Sequence, residues 1–321
     1  MNIAVLALDG VFDTGLATVL DTFAAANELA PAAGMPAPGL RVSLVGMRAQ
    51  VTTANGLNVP TLVAEQAPQP DWVIVPALGC KTPETLVPAL ARPDVRDGVA
   101  WLRDCAQAGA HAAAACVGTF VLGEAGLLDG HEATTSWWLT PLFRQRYPDV
   151  ALSPHRILVP SGPVLTAGAG FSHVDLALWL LRQRSPELAA VVVRYLIVDS
   201  RTSQSVYMIS DHLAHADPLI ERFDRWVRDH MDQAVNLEDA AVALATSKRT
   251  LARRLHDVLG KTPLEYIQDM RVERAVYLLR TSDESVDRIA ARVGYADGVT
   301  LRTLLRRRTG KGVRELRGVK V

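Results

Sequence analysis

The chain has 321 residues, 49% of them apolar and 21% charged, and its 34 basic and 34 acidic side chains cancel to zero net charge. That length is more than one compact core usually takes and predicts two domains, while the apolar share excludes intrinsic disorder. The zero hides a segregation: residues 1–221 carry 13 Lys/Arg against 20 Asp/Glu, a net of −7, and residues 222–321 carry 21 against 14, a net of +7. A basic tail on an acidic body has the charge layout of a nucleic-acid-binding tail, although Arg-rich helices that merely solvate a surface would give the same balance.

Three cysteines, Cys80, Cys105 and Cys116, form no CxxC pair. This argues against a disulfide framework and a structural zinc site, and it suits a reducing cytoplasm. No metal or cofactor is expected. The opening MNIAVLALDG lacks a basic stretch before its apolar run and reads as a first strand, not a signal peptide. The long apolar run LAAVVVRYLIV is interrupted by Arg194, so the expectation is a soluble cytoplasmic protein with no membrane partner.

In chain order, β-rich runs fall at Asn2–Leu8, Arg41–Gly46, Trp72–Pro76, His111–Cys116 and Val164–Ala167. Helical patterns at Leu16–Leu29, Val95–Ala108, Thr119–Glu124 and Val174–Leu181 lie between and after them. Strands without polar alternation, separated by helices, predict an α/β domain with a mostly parallel sheet covered on both faces. This domain is placed at 1–198, ending on a helix from Pro186 to Val198, with a polar linker at 199–217 that includes an irregular stretch at 199–211. An all-helical domain follows at 218–321, opened by Pro218 with Leu219, Phe223, Trp226, Val227 and Met231 at helical spacing.

Within this tail, NLEDAAVALATSKRTLARRLHDVLG shows two short apolar stripes, Leu237/Ala240/Ala241/Leu244 and Leu251/Leu255/Leu259, broken at ATS with Ser247 placed to cap the second. Two short helices joined by a tight turn make a helix-turn-helix, whose second helix enters a major groove. Arg249 and Arg253, four apart, share the face opposite the leucines and suit guanine O6/N7. Lys248 and Arg254 flank them as phosphate contacts, with Thr250 on the same helix. SVDRIAARVGYADGVTLRTLLRRRTG repeats the pattern. There Arg302, Thr303, Arg306, Arg307 and Arg308 form the outer and flanking faces of the second reading helix. TPLEYIQDMRVERAVYLLR connects the two units as one longer helix. Units so spaced would read adjacent major-groove segments about 34 Å apart on one DNA face.

With RVERAVYLL in the connecting helix and VDRIAARVGYAD…LLRRRTG in the second unit, these ~90 residues resemble the AraC/XylS family of DNA-binding domains. The resemblance implies that the first recognition helix makes the main base contacts, which puts Arg249 and Arg253 first. Gly298, Val299 and Thr303 depart from the residues common at their positions, which predicts weaker specificity in the second half-site.

The stretch HAAAACVGTFVLGEAGLLDG reads as a strand, a sharp turn at Cys116 and a helix. A residue at such an elbow projects toward solvent beside a helix N-terminus, which would lower a thiol's pKa and could support a nucleophile. The alternative is a small apolar residue at a crowded turn. VIVPALG, AAAACVGTF, GLLDGHEATTSWW and VLTAGAGFSHVDLALWLL make residues 1–185 resemble the PfpI/ThiJ superfamily, with its class I glutamine amidotransferase-like, flavodoxin-like fold. Joined to an AraC-type tail, this is the arrangement of GlxA-like regulators.

Active relatives in that superfamily pair the elbow cysteine with a histidine and an acid. By alignment the histidine position holds Ser136, within Thr134-Thr135-Ser136, and the acid position holds Gly15, with Asp13 as a poorly spaced substitute. No catalytic residue is therefore assigned. What remains is a ligand pocket at the carboxyl ends of the strands, expected of Asp13, Leu78, Gly79, Cys116, Val117, Gly118, Ser136 and Trp137. The Val117 and Gly118 amides would meet an anionic or carbonyl group. Trp137 or Trp138 would form an apolar wall, or simply core. His173 reads as a surface or cap residue, and Cys80 with Cys116 as a conceivable redox pair.

The reading that absorbs most of these features is a sequence-specific transcription regulator that binds double-stranded promoter DNA. Its α/β domain would sense a small-molecule effector, form a homodimer, or both, with RNA polymerase as a further partner. The competing readings are a cysteine-dependent amidase- or hydratase-like enzyme using Cys116, and a purely architectural α/β domain.

Overall fold

The computed structural model describes residues 1–154, 156–198, 204, 217–233, 235–259 and 261–318. The chain divides into two compact units, Met1–Gln204 and Ser205–Val321. Most of the expected linker at 199–217 lies outside the described residues. Gln204 does not: it is buried in the first unit, so that unit extends past residue 198.

The first unit is built on a seven-stranded sheet in the order β10-β11-β7-β6-β1-β2-β5. These strands are β1 (Asn2–Leu6), β2 (Arg41–Gly46), β5 (Leu62–Val63), β6 (Trp72–Val75), β7 (His111–Ala115), β10 (Leu158–Ser161) and β11 (Val164–Ala167). All neighbours run parallel except the β10–β11 hairpin at one edge. Successive side chains alternate between the faces, as a pleated strand requires. Ala4, Leu6, Val73, Val75, Ala112 and Ala114 enter one core. Ile3, Val5, Ile74, Ala113 and Ala115 enter the other. Two pairs lie apart from the sheet, β3 (Gln50–Thr52) with β4 (Asn58–Pro60), and β8 (Glu132–Ala133) with β9 (Ala151–Leu152).

Helices α1 (Asp13–Ala32), α6 (Ser172–Arg184) and α7 (Pro186–Tyr195) pack on one another over the second core. The first core is covered by α2 (Pro83–Leu90), α3 (Pro93–Gln107), α4 (Gly118–Glu124) and α5 (Thr140–Arg146). A proline in the first turn opens α2, α3, α5 and α7, where its missing N–H costs nothing and its fixed φ suits the helix. The mostly parallel α/β sandwich expected from the sequence is thus present.

The second unit is helical. Helix α8 (Pro218–Asp229) precedes α9 (Leu237–Ala243) and α10 (Lys248–Leu259), and the nineteen-residue α11 (Pro263–Thr281) leads to α12 (Val286–Arg292), α13 (Gly298–Thr309) and α14 (Val313–Gly318). Ile220, Phe223, Ala240, Leu251, Leu255 and Tyr266 are all buried around the first helix-turn-helix. Ile289, Ala290, Val293, Leu301 and Leu305, with Ala275 and Leu279 from α11, bury the second. The side chain of Leu259, expected in the second stripe of the first helix-turn-helix, lies outside the described ones. Thr262 and Glu265 form a reciprocal capping box that starts α11. No helix among the described residues is long and apolar enough to cross a membrane.

Candidate nucleic-acid interface and the cysteine elbow

In the first helix-turn-helix the chain reverses at Ala245, which takes a left-handed φ of 50°. Ser247 then caps α10, its Oγ accepting the Thr250 amide at 3.0 Å. Thr250 is half-buried, its hydroxyl 2.9 Å from Ser247 Oγ. Leu251 and Leu255 are fully buried, and this turns Arg249 and Arg253 outward. Neither arginine makes an ion pair among the described residues. The two flanking cations differ. Lys248 Nζ sits 2.6 Å from Glu238, both exposed, an arrangement that water and salt dissolve readily. Arg254, expected on a phosphate, bonds at 2.6 Å to Asp217, whose side chain is 3% exposed. That carboxylate also caps α8 by accepting the Leu219 and Ile220 amides. Arg254 is held inside its own domain because the buried cap needs a counter-charge.

In the second unit Asp297 accepts the Thr300 amide and caps α13. Gly298 gives its amide to Asp287 at 2.9 Å, and a Cβ there would lie 2.5 Å from the same oxygen. The glycine noted as a departure is therefore what lets α12 and α13 approach. Arg302, Thr303, Arg306 and Arg307 are exposed along α13. Arg308, expected on the outer and flanking faces, is turned to α11, where it meets Gln268 at 3.0 Å and Asp269 at 3.4 Å.

The elbow lies at the carboxyl end of β7. Cys116 has a φ of 56°, the left-handed region that a non-glycine residue occupies at a cost of about 1–3 kcal/mol. Its sharp turn is as expected, but its environment is not. The residue is 5% exposed, and burial raises the thiol pKa, with the Ser136 hydroxyl and the Val117 amide acting against that rise. Cys116 Sγ and Ser136 Oγ are 2.8 Å apart. A strand-to-helix elbow activates a thiol only where it is open to water or a cation, and this one is packed over.

The remaining predicted pocket residues are distributed around this edge. Gly118 lies where any Cβ would collide with the Val75 carbonyl. Leu78 is buried and bridges Val11, and Gly79 donates to the Gly10 carbonyl at 2.7 Å. Asp13, the suggested substitute acid, accepts from Thr53 Oγ1 and the Asn55 amide. Its carboxylate thus serves the turn between β3 and β4. Trp137 is buried and edge-on to Trp138, whose indole donates to the Lys81 carbonyl.

His173, expected at the surface or a cap, is fully buried. Its Nε2 accepts the Ala77 amide at 3.1 Å and its Nδ1 faces the Gly170 carbonyl at 2.5 Å. Burial drives its pKa down to about 4, so the ring is neutral near pH 7. A Cβ at Gly15 would lie 2.6 Å from His173 Nε2. Gly15 thus makes room for an imidazole.

Gln204 was also missed. Its Nε2 donates to the carbonyls of Thr135 and Pro154, its Oε1 accepts the Ala169 amide, and Gly168 leaves the space it fills. Thr135 in turn donates to the Cys116 carbonyl. Two surface cavities, about 140 and 440 Å³, open at the amino ends of the strands, beside Asn2 and Arg41 and beside Arg103 and His131. Both are at the edge opposite the elbow.

A family profile described as a helix-turn-helix domain matches residues 240–318. The transcriptional regulator GbdR of Pseudomonas aeruginosa is 25% identical over 252 residues, 77% of this chain and 66% of GbdR, so the match spans just under two thirds of that relative. Among solved structures, an AraC family transcriptional regulator from Pseudomonas putida superposes with a TM-score of 0.51 at 22% identity, covering 61% of this chain and 98% of its own. A ThiJ/PfpI family protein from Pseudomonas syringae gives 0.50 at 19%, covering 76% and 90%. At these identities the structural likenesses establish the α/β fold.

Proposed function

We propose that the chain joins an α/β unit of the ThiJ/PfpI fold to an AraC-type helix-turn-helix domain and is a sequence-specific DNA-binding transcription regulator. The observation that carries this reading is the first recognition helix, where Arg249 and Arg253 stand exposed, four residues apart and without ion pairs among the described residues. They are placed to reach base edges while Arg302, Arg306 and Arg307 of α13 add backbone and groove contacts. Double-stranded promoter DNA is the partner, and the cytoplasm is the compartment this implies.

In the same reading the α/β unit works as a homodimer that presents two DNA-binding domains, which raises their effective concentration on paired sites. A small effector would act at the elbow, among Cys116, Val117, Ser136, Trp137 and Leu78, and it must loosen that packing to enter. It shifts DNA binding only through differential affinity for two arrangements of the chain. RNA polymerase is the further partner of an activator. The cysteine-enzyme reading is disfavoured by the hydroxyl at Ser136 and by the neutral, hydrogen-bonded His173 against Gly15, since neither offers the thiol a base.

The test is a titration of the full chain against the DNA upstream of its own gene, with random DNA as competitor, at two salt concentrations. Salt-sensitive preference that survives Cys116→Ala supports the regulator. Absence of any preferred sequence, in that DNA and in a randomised duplex pool, would overturn it.

A further inference from the structure

The second recognition helix carries an apolar feature that phosphate binding leaves unexplained. Val299, in the first turn of α13, is 66% exposed. Thr303 is also exposed, one turn further along the same face. Its hydroxyl donates back to the Val299 carbonyl at 3.0 Å, which uses its one proton and leaves the γ-methyl and the oxygen's lone pairs to present. Both residues are β-branched, and the Asp297 cap and the buried Leu301 and Leu305 fix which way α13 faces. Exposed Arg302 and Arg306 on the same helix supply charge complementary to a DNA backbone.

In a major groove the apolar feature a protein meets is the C5-methyl group of thymine. We propose that Val299 and Thr303 read thymine through that methyl, so that the second half-site is chosen by A·T content where the first is chosen by guanines. The inference rests on the DNA-binding reading above. It replaces a weakly specific second half-site with one whose specificity is apolar. The selectivity is modest, because a methyl contact lacks the geometry of a bidentate arginine.

The experiment starts from duplexes that the full chain selects from a randomised pool. Each thymine of the selected site is then replaced in turn by deoxyuridine, which removes the C5-methyl and leaves base pairing intact. At one or two positions of the second half-site, affinity of the unaltered protein should fall by about fourfold, the equilibrium equivalent of one buried methyl. Val299→Ala should bind the thymine duplex more weakly by a similar factor and be indifferent to uridine there, and Thr303→Ser should behave likewise at its own position. The uridine arm needs no altered protein, so it holds even if a variant folds poorly. If every thymine of the second half-site tolerates uridine while Arg249→Ala still loses specificity, this proposal falls and the regulator stands. If the pool yields no preferred sequence, both fall.

Discussion

His173 is a titratable side chain held in one protonation state by its surroundings, and that has a consequence for stability. The folded pKa is near 4 and the unfolded value near 6.5. Between those pH values the unfolded chain holds a proton on this imidazole that the folded chain refuses, so stability rises with pH across the window. The contribution is complete above pH 6.5 and lost as pH falls toward 4, about 3 kcal/mol in all. His173→Gln can accept from the Ala77 amide and donate to the Gly170 carbonyl without titrating. Urea denaturation of this variant should show a distinctly shallower fall in stability between pH 7 and 5 than the parent. An unchanged slope would mean the ring is accessible or already charged. Cys116 gives a parallel expectation. Burial keeps its thiol protonated, whereas Cys80 is only partly buried. Iodoacetamide at pH 8 should alkylate Cys80 well before Cys116, as read by peptide mass spectrometry. Rapid alkylation of Cys116 in the folded protein would reopen the nucleophile reading.

At the scale of elements, the arginines of α10 are expected to separate stability from recognition. Arg254→Ala strips the counter-charge from the buried Asp217 cap and should destabilise the helical domain by about 1–2 kcal/mol, discounted because the arginine itself is half exposed. Among the described residues, Arg253 and Arg249 make no such ion pair. Arg249→Ala should leave the thermal midpoint in place and cost about 1–3 kcal/mol at the specific site, with little change on random DNA. Equal thermal shifts in the two variants would contradict this division. The same contrast shows how far the sequence reaches. Apolar, β-rich runs located β1, β2, β6, β7 and β11, and helical spacing located all four recognition-unit helices. These patterns missed β3, β4, β5, β8 and β9, two or three residues each, and also β10, an edge strand that carries Pro160 and a half-exposed, mixed pattern. The elbow was legible from the AAAACVGTF run, since small residues must crowd there. The seats of His173, Arg254 and Gln204 were not, because each is set by a partner distant in sequence: Ala77, Asp217, and the Thr135–Pro154 carbonyls. A signal did exist for the first, in the glycine at position 15, but a glycine reports a missing side chain without saying what fills the space.

For the molecule as a whole, zero net charge and a pI near 7.1 would suggest indifference to polyanions, yet its residues from 222 onward carry +7. At physiological ionic strength the Debye length is about 8 Å, so only charges within about that distance of a bound duplex would act on it strongly. Binding should then follow the local charge and not the sum. Each phosphate neutralised by lysine or arginine releases condensed counterions, so the logarithm of the association constant should fall linearly with that of salt. With Arg302, Arg306 and Arg307 exposed, and Lys248 released from its solvated pair with Glu238, contacts to about four phosphates give a slope near −4 per domain, Arg249 and Arg253 being proposed to meet bases. A homodimer on paired sites should approach twice that value, so the same titration reports how many domains engage. A slope near zero would assign the +7 to surface solvation and remove the electrostatic basis for DNA binding. A slope near −5 per domain on specific DNA would instead put Arg249 and Arg253 on phosphates and count against their proposed contacts to bases.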